Sequence, residues 1–405
     1  MAQLSINSAF NYNMSFQLAV IRQRYTPYGG AERFVSQALA ALADRGVALS
    51  LYTRKWPGGE TVFRPVICNP FYLGSLWRDW SFGRAVRKAI ERDQPTLVQS
   101  HERISCCDIF RAGDGVHRVW LEERCRHMSW WGKARIALNP AHHFRLAAER
   151  RLFASPRLKA VICISEMVKT EVLQHFPIAP EKLHVIYNAV DTERFSPALI
   201  THREEIRRRY GIPESAILFV LIGSGFDRKG VGPAIEAMAR LPVQVHLLVV
   251  GKDKHASRYQ AKARKLGLER VHFAGPQADP RPFYGAADSF VLPTLYDPLS
   301  NAVLEALACG LPVVTSHKCG AGEIVAASNA GFLSDASDVQ ALSQNMNRLL
   351  DANIRKICSI NARKAAEVLT NKEMTGRLLA LYEILINAQE CKANSRQEFP
   401  GGQSA

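Results

Sequence analysis

The sequence predicts an α/β protein of two domains, each a parallel β-sheet flanked by helices, which face each other across a cleft. Its 405 residues exceed what one hydrophobic core usually organises. In the C-terminal half, short β-rich runs alternate with segments whose apolar residues recur at helical spacing. The N-terminal half repeats this alternation less clearly. Strands separated by helices indicate βαβ units, whose parallel sheets bind ligands at the carboxyl ends of the strands.

The predicted strands are short apolar runs that end in turn residues. In the N-terminal half they are residues 16–25, 47–53, 96–100, 108–113 and 159–165. In the C-terminal half they are residues 215–223, 243–251, 271–275, 289–295 and 311–316. Ser165 is predicted to be the N-cap of a helix that follows the last N-terminal strand.

A boundary between the domains is predicted after the segment "VIYNAVDTERFSP", which ends in a proline and precedes a charge-rich helix. The N-terminal domain is then residues 1–196 and the C-terminal domain residues 197–370. The amphipathic helix 371–390 is predicted to complete the N-terminal domain. The first dozen residues and the polar stretch after residue 390 are predicted to be disordered.

The composition restricts the partners. The net charge of +15 favours a polyanion: nucleic acid, an anionic membrane surface or a phosphorylated substrate. No recognisable nucleic-acid motif accompanies the basic residues, so we expect no nucleic-acid partner. No apolar run is long enough to span a bilayer, and the N-terminus lacks a signal-peptide pattern. Nine cysteines without C-x-x-C suit reduced thiols in a cytoplasm.

The loop "GSGFDRKGVG", residues 223–232, follows the first C-terminal strand and predicts a phosphate site. Gly223 lets the backbone approach an anion, and Arg228 and Lys229 neutralise it. Two familiar phosphate motifs do not fit. Arg228 stands where a dinucleotide fingerprint needs its last glycine, and Lys229 is followed by Gly230 rather than serine or threonine.

The stretch "YDPLSNAVLEALACG", residues 296–310, carries two carboxylates with seven residues between them, Asp297 and Glu305. A helix is predicted to begin near Leu299, so that its first turn offers free N–H groups to an anion. These groups belong to Ser300, Asn301 and Ala302. Two carboxylates beside an anion site suit a nucleotide sugar, because carboxylates accept hydrogen bonds from sugar hydroxyls while the helix end holds the diphosphate.

With "ALACGLPVV" after D-x7-E, "GSGFDRKGV" upstream and "NAVDTERFSP" between the halves, the chain resembles the retaining glycosyltransferases that have the GT-B fold and an E-x7-E motif. Within them it is most similar to the lipopolysaccharide core α-glucosyltransferases. The resemblance runs from "PYGGAER" to the final helix. It implies two Rossmann-like domains, with the donor on the C-terminal domain and the acceptor on the N-terminal one.

The resemblance also implies roles for individual residues. Arg228 and Lys229 would hold the donor diphosphate, Glu305 the ribose, and Asp297 with nearby backbone the transferred sugar. Gly29 and Gly30 would bring backbone to the donor from the opposite domain. The chain departs from the family at Asp297, where a glutamate is usual, so the contact with one particular sugar hydroxyl is in doubt.

The stretch "RAGDGVHRVW", residues 111–120, ends a predicted N-terminal strand and carries Asp114 and His117. The family places an acidic or imidazole group beside the reacting sugar carbon here, so both residues are catalytic candidates. No D-x-D motif occurs in the chain, and we expect metal-independent activity without a cofactor. The leaving phosphate oxygen would then help to deprotonate the acceptor hydroxyl in a same-face, retaining reaction.

The function implied is transfer of a hexose from a UDP-sugar to a lipopolysaccharide core or related glycan. The expected hexose is glucose. Two alternatives stay open. A nucleotide-sugar epimerase or hydrolase of the same fold would consume the donor without an acceptor, and a glycan-binding relative would have lost the chemistry. Interpretations without a functional role also stay open: Arg228 and Lys229 could be solvated loop charges, and Asp297 could be a turn residue before Pro298.

Residues 118–151 predict a peripheral contact with an anionic membrane. This segment has eight basic residues against three glutamates, and three tryptophans, Trp120, Trp130 and Trp131, lie among them. Basic residues are attracted to anionic lipid, and tryptophans favour the depth of the headgroups. The alternatives are tryptophans in the core and arginines that bind a phosphorylated acceptor. A membrane contact here would place a cytoplasmic enzyme at the inner face of the cytoplasmic membrane.

Overall fold

The computed structural model describes residues 16–24, 46–56, 63–126 and 128–397, with side chains as far as residue 391. It contains two β-sheets, and every strand pair within them is parallel. The predicted α/β fold class with two parallel sheets is therefore confirmed. All ten predicted strands are present, and three short strands at sheet edges were not predicted.

The first sheet has seven strands in the order β3-β2-β1-β4-β5-β6-β7. They are β1 (Gln17–Ile21), β2 (Ala48–Thr53), β3 (Arg64–Ile67), β4 (Leu97–Ser100), β5 (Ile109–Ala112), β6 (Ala160–Cys163) and β7 (Leu183–Val185). The helices of this half are α1 (Gly74–Asp93), α2 (His117–Arg126), α3 (Trp130–Ala137), α4 (Pro140–Phe153) and α5 (Glu166–His175).

The second sheet has six strands in the order β10-β9-β8-β11-β12-β13. They are β8 (Ile217–Ile222), β9 (Val245–Val250), β10 (Val271–Gly275), β11 (Ser289–Leu292), β12 (Val313–Ser316) and β13 (Gly331–Ser334). Its helices are α6 (Arg203–Arg209), α7 (Phe226–Lys229), α8 (Val231–Met238), α9 (Ala256–Lys265), α10 (Arg281–Ala286), α11 (Asn301–Ala308), α12 (Gly322–Ser328), α13 (Val339–Arg348) and α14 (Ala352–Glu367).

The last helix, α15 (Asn371–Gln397), packs on the first sheet although it follows the second in the chain. Met374, Leu378 and Tyr382 share a buried cluster with strand residues such as Leu18 and Leu97. The hydroxyl of Tyr382 also donates a hydrogen bond of 2.8 Å to Gln99 on β4. The chain therefore crosses between the two halves twice.

Strand order brings two distant loops together in the second sheet. The chain winds from β8 outward to β10 on one side and from β11 outward to β13 on the other, so β8 and β11 are neighbours at the point where the winding reverses. Ligands of open parallel sheets bind at such a switch point. The loops meet there directly: Leu295 N–H donates to the carbonyl of Arg228 at 2.8 Å, and so does the hydroxyl of Thr294.

The two halves contact each other through the segment that follows β11. The Tyr296 hydroxyl donates a hydrogen bond of 2.7 Å to Glu171 on α5 and accepts one of 3.0 Å from Val116 N–H. Burial and the neighbouring carboxylate raise the pKa of Tyr296, so the phenol stays protonated and remains a donor. Ser165, the N-cap of α5 as predicted, also donates to the carbonyl of Pro298 at 2.8 Å.

Gly230 joins α7 to α8 and is predicted to tolerate no side chain. Its φ is +75°, and a Cβ added there would lie 1.9 Å from the carbonyl oxygen of Pro293. We expect Gly230→Ala to lower the free energy of unfolding by more than the roughly 1–3 kcal/mol of a strained backbone alone, and to displace Arg228 and Lys229. Gly211→Ala is the matched control, because Gly211 has φ +63° and open space around it. Equal urea midpoints for the two variants would contradict the overlap.

Candidate active site

A cleft of about 1740 Å³ lies between the two halves and is lined by residues from both. Every predicted site residue within the described ranges lines this cleft. They are Asp114, His117, Gly223, Arg228, Lys229, Asp297, Ser300, Asn301, Ala302 and Glu305. Gly29 and Gly30 lie outside the described residues. The structure thus brings together motifs that are far apart in the chain.

One buried carboxylate joins the two loops at the switch point. Asp297 Oδ2 lies 2.5 Å from Lys229 Nζ and 3.4 Å from a guanidinium nitrogen of Arg228. Burial by itself would raise the pKa of Asp297, but the two cations outweigh it and the pKa is lowered. The aspartate therefore stays ionised in a site where the two cations together exceed it by one charge. Such a site attracts a further anion.

Helix α11 begins at Asn301, two residues later than predicted, and Ser300 is its N-cap residue. The proline at 298 and the extended backbone of Ser300 delay the first turn. Ser300 is buried, and among the described residues its hydroxyl has no hydrogen-bond partner. The N–H groups of Asn301 and Ala302 open the helix beside Asp297. The N-terminus of the helix therefore lies at the cleft as predicted, but two residues later in the chain.

Glu305 lies in the second turn of α11, and its carboxylate is oriented by a buried tyrosine. Tyr284 donates a hydrogen bond of 2.8 Å to Glu305 Oε2. Burial and the adjacent carboxylate raise the pKa of Tyr284 well above its ordinary value, so this tyrosine remains a donor. The glutamate is half-buried at the wall of the cleft. It can accept further hydrogen bonds from the hydroxyls of a ligand.

A relay that the sequence did not suggest connects the first sheet to α11. Arg111, at the end of β5, donates to Asn188 Oδ1 at 2.5 Å, and Asn188 Nδ2 donates to Asn301 Oδ1 at 2.7 Å. Arg111 and Asn188 are buried. The relay fixes the side chain of Asn301 from the opposite half of the protein. The only sequence signal was a buried-strand arginine in an otherwise apolar run.

Asp114 and His117 lie on the opposite wall, just after β5. Asp114 is exposed to the cleft, and its carboxylate lies 3.7 Å from Arg103. His117 is buried, and its Nε2 is 3.1 Å from Nδ1 of His142. Burial, followed by the nearby guanidinium of Arg103, lowers the pKa of His117 to about 3. The imidazole is therefore neutral at neutral pH and serves as a hydrogen-bonding group rather than a cation.

Sequence reasoning missed the residues that support this wall. Arg103 donates to Glu149 at 2.8 Å, and the same carboxylate oxygen accepts the His117 N–H at 2.8 Å. Glu149 thus tethers the start of α2 to α4. Glu323 acts across the halves in a similar way: it accepts from two N–H groups at the start of α5 and from the Tyr187 hydroxyl. It thereby caps α5, a helix of the other half.

The described residues offer no group of three or more His, Cys, Asp or Glu side chains placed to hold a metal ion. Arg228 and Lys229 supply cationic charge at the switch point. All nine cysteines are free thiols.

The Lys229–Asp297 pair predicts a measurable coupling. Lys229→Met leaves a buried carboxylate with Arg228 alone, so we expect a loss of stability on the order of 3 kcal/mol at neutral pH. Adding Asp297→Asn should restore part of it, which gives a coupling energy of at least about 1 kcal/mol.

The pH dependence has a defined sign. The lowered pKa of Asp297 means that its contribution is present above the ordinary carboxyl pKa and is lost as pH falls through the lowered value. The deficit of Lys229→Met should therefore shrink at acidic pH as the carboxyl protonates. Urea unfolding of the single and double variants from pH 8 down to about pH 3 measures both effects. Strictly additive midpoints would show that the pair is not coupled.

Comparison with known families identifies both halves of the chain. The family "Glycosyl transferases group 1" matches residues 202–365, and "Glycosyltransferase Family 4" matches residues 28–194. The lipopolysaccharide core biosynthesis glycosyltransferase LpsE of Rhizobium meliloti is 33% identical over 332 residues, which are 80% of this chain and 86% of LpsE. The lipopolysaccharide glucosyltransferase WaaG of Escherichia coli is 25% identical over 357 residues, which are 85% of this chain and 92% of WaaG.

Solved structures agree with the fold. The crystal structure of WaaG superposes with a TM-score of 0.76 at 24% identity, over 89% of this chain and 98% of that one. Anabaena HepE in complex with UDP-glucose superposes with a TM-score of 0.67 at 20% identity, over 91% and 99%. With the sequence similarity to LpsE, these findings show that the chain is a glycosyltransferase of the group 1 family with the GT-B fold, similar over most of its length to enzymes of lipopolysaccharide core biosynthesis.

Proposed function

We propose that this glycosyltransferase transfers glucose from UDP-glucose to the core of a lipopolysaccharide and retains the anomeric configuration. The observation that carries the proposal is the ion cluster of Lys229, Asp297 and Arg228 beside the start of α11 in the cleft. WaaG, a relative, is named a lipopolysaccharide glucosyltransferase, and HepE was solved with UDP-glucose. The first name agrees with a glucosyl group, and the second agrees with UDP-glucose as its donor.

The excess positive charge of the cluster suits the donor diphosphate. Arg228 and Lys229 share one carboxylate oxygen, so an incoming diphosphate can take up contacts with both cations without leaving Asp297 unpaired. Each charge-assisted hydrogen bond contributes roughly 1.5–3 kcal/mol. The N–H groups at the start of α11 add a helix-end anion site. As the C–O bond to the diphosphate breaks, these groups stabilise the departing negative charge.

The rest of the donor follows from the neighbouring side chains. Glu305, oriented by Tyr284, would accept hydrogen bonds from the ribose hydroxyls. Asp297 and the backbone of Ser300, Asn301 and Ala302 would contact the transferred sugar, and Gly223 would let the strand end approach the phosphates. Asp297 is one methylene shorter than glutamate and is held by Lys229, so its reach toward the sugar is short.

The proposed chemistry balances without an external base. The acceptor hydroxyl oxygen bonds to C1 of the glucose on the face from which the diphosphate departs, the C1–O bond to the β-phosphate breaks, and the hydroxyl proton moves to that phosphate oxygen. Asp114 lies on the wall that faces the donor site and would stabilise positive charge at C1. His117 is neutral there and would hydrogen-bond the sugar.

We place the enzyme at an anionic membrane surface, with α3 as the contact. No residue of this eight-residue helix is buried. Trp130 and Trp131 are 63% and 68% exposed and stack on each other. Lys133 and Arg135 on the same helix are also exposed. Trp120 does not belong to this surface, since it is half-buried near Tyr296.

Within the described ranges, none of the helices has the length and apolarity needed to cross a bilayer. The proposed membrane contact is accordingly peripheral.

The decisive test is a reaction with UDP-glucose and purified lipopolysaccharide truncated before its first core glucose. We expect a glucosylated product whose new anomeric proton has the α configuration by NMR, and equal rates in the presence of EDTA. Loss of activity on chelation, restored by Mn²⁺ or Mg²⁺, would contradict the metal-independent mechanism. Free glucose or an epimerised donor in place of a glucosylated product would favour the hydrolase or epimerase alternative.

Steady-state kinetics should separate the roles of the donor-site residues. Arg228→Ala and Lys229→Ala should each cost about 2–4 kcal/mol in transition-state stabilisation, since each removes a contact to the leaving group. Glu305→Gln should raise the donor KM more than it lowers kcat, whereas changes at Asp297 and Asp114 should lower kcat. The control is Arg208→Ala, an exposed arginine paired within its own helix. The reverse ordering would mean that the ribose and sugar contacts are exchanged.

Vesicle co-sedimentation tests the membrane contact. Wild-type protein should bind anionic vesicles at low salt, because each basic residue near the surface contributes about 1 kcal/mol, and should bind neutral vesicles weakly. Trp130→Ala with Trp131→Ala should reduce binding. Ile357→Ala, an exposed apolar residue on α14, is the control. Equal recovery on neutral and anionic vesicles, or none on either, would leave the enzyme without this contact.

A further inference from the structure

Helix α1 forms part of the first-domain wall of the cleft and presents a stripe of side chains to it. The stripe consists of Trp77, Trp80, Arg84, Arg87 and Lys88, and all five line the cleft. Their spacing of three and four residues places them along one side of the helix. The opposite side of α1 packs into the hydrophobic core. The stripe is therefore free of any part in core packing.

The two tryptophans expose large apolar rings. Trp77 is 40% and Trp80 51% exposed. Phe71 packs edge-on against Trp77 with ring centroids 5.7 Å apart, and the Arg84 guanidinium lies 6.0 Å from the centre of the Trp80 ring. These contacts support the rings without covering them. An exposed aromatic ring in a cleft offers a flat apolar face, and the C–H face of a sugar ring can pack on it.

The stripe is also basic. Arg84, Arg87 and Lys88 are exposed, and none of them forms an ion pair with another residue that the structure describes. Arg87 donates only to the hydroxyl of Ser105, at 3.3 Å. Arg145 and Arg151 of α4 line the same wall. The acidic residues near them are Glu91, on the same helix, and Asp79, which is paired with Arg78 and Arg145.

The size of the cleft leaves room for a second ligand on this wall. A pocket for one small molecule usually has a volume of about 300–1,000 Å³, and this cleft has about 1740 Å³. The donor site proposed above occupies the wall that carries Lys229 and Asp297. The α1 wall belongs to the same continuous space but to the other domain.

We propose that the α1 stripe binds the acceptor and that the acceptor is a glycan with anionic groups, phosphate or carboxylate. Trp77 and Trp80 pack against sugar rings, while Arg84, Arg87 and Lys88 bind the anions, for which arginine offers paired donors. This inference rests on the proposed function in assigning the donor to the opposite wall and in taking a lipopolysaccharide core as the acceptor. The position of the stripe inside the cleft favours a glycan over a lipid surface.

Binding of a deacylated core oligosaccharide, measured by calorimetry, tests the assignment. Arg84→Glu with Lys88→Glu should weaken binding by more than tenfold, and Trp80→Ala should do so by about tenfold while Trp80→Phe keeps most of the affinity. Lys356→Glu with Lys364→Glu is the matched control: it makes the same change of charge at two exposed lysines of α14, outside the cleft. That control should stay within twofold of wild type.

Two preparations of the oligosaccharide distinguish the sources of negative charge. If phosphate is recognised, chemical removal of the phosphates should abolish the difference between wild type and the Glu variants. If carboxylate is recognised, the difference should persist. Either result supports the stripe. Unchanged affinity of both the Glu pair and Trp80→Ala would overturn it, as would a wild-type protein that does not bind the oligosaccharide.

Two further measurements keep the outcomes separate. The variants should bind UDP-glucose as tightly as wild type does. If wild-type protein binds no UDP-glucose, the donor assignment is wrong, and the oligosaccharide titrations still test the stripe. If Trp77→Ala with Trp80→Ala reduced binding to anionic vesicles and not to the oligosaccharide, the stripe would be a membrane contact and the proposal would be wrong.

Discussion

The site depends on the carboxylate of Asp297, which is held between Lys229 and Arg228. Its side chain joins the loop after β11 to the loop after β8. Its backbone joins the same segment to the loop after β12, because Asp297 N–H donates to the Lys318 carbonyl and the Asp297 carbonyl accepts from Gly320 N–H, both at 2.8 Å. One residue therefore fixes three loops at the carboxyl edge of the second sheet. The short side chain of aspartate lets the carboxylate contact Lys229 and Arg228 while the backbone of the same residue keeps its hydrogen bonds to Lys318 and Gly320.

The contact between the halves extends from that residue. Tyr296 on one side of it binds Glu171, and the carbonyl of Pro298 on the other accepts from Ser165. Gly320 is required in the same place, since a Cβ there would lie 1.9 Å from the Pro298 carbonyl oxygen. Tyr296 also accepts the Val116 N–H, so the segment that carries Asp297 contacts the wall that carries Asp114 and His117. The ion cluster and the interdomain contact form one structural unit.

Much of this arrangement follows from the sequence, and what does not follow has identifiable physical reasons. Alternation of apolar runs and helical periodicity predicted every central strand, because these strands are buried on both faces. The strands β3, β7 and β13 were missed, since each lies at the edge of its sheet and is three or four residues long. The helix after Pro298 was placed two residues early because the extended N-cap at Ser300 has no signal in periodicity.

Long-range polar contacts were not predictable. Asn188 and Asn301 are 113 positions apart, and only the folded chain brings their amides together. The position of Trp120 was not predictable either, because the sequence places it in the same basic segment as Trp130 and Trp131. In the structure it lies near Tyr296, whereas the other two are exposed on α3. Local composition describes a segment as a whole, and the two ends of this segment have different surroundings.

Part of the chain's net charge of +15 lies in the cleft, whose lining has more basic than acidic side chains. On the second-domain wall the cations are compensated in part, by Asp297, and are concentrated at one point. On the first-domain wall they are spread along α1 and α4 and largely lack acidic partners. A compact diphosphate suits the first arrangement, and an extended anionic glycan suits the second. The concentrated charge of the second-domain wall therefore matches a compact donor, and the spread charge of the first-domain wall matches an extended acceptor.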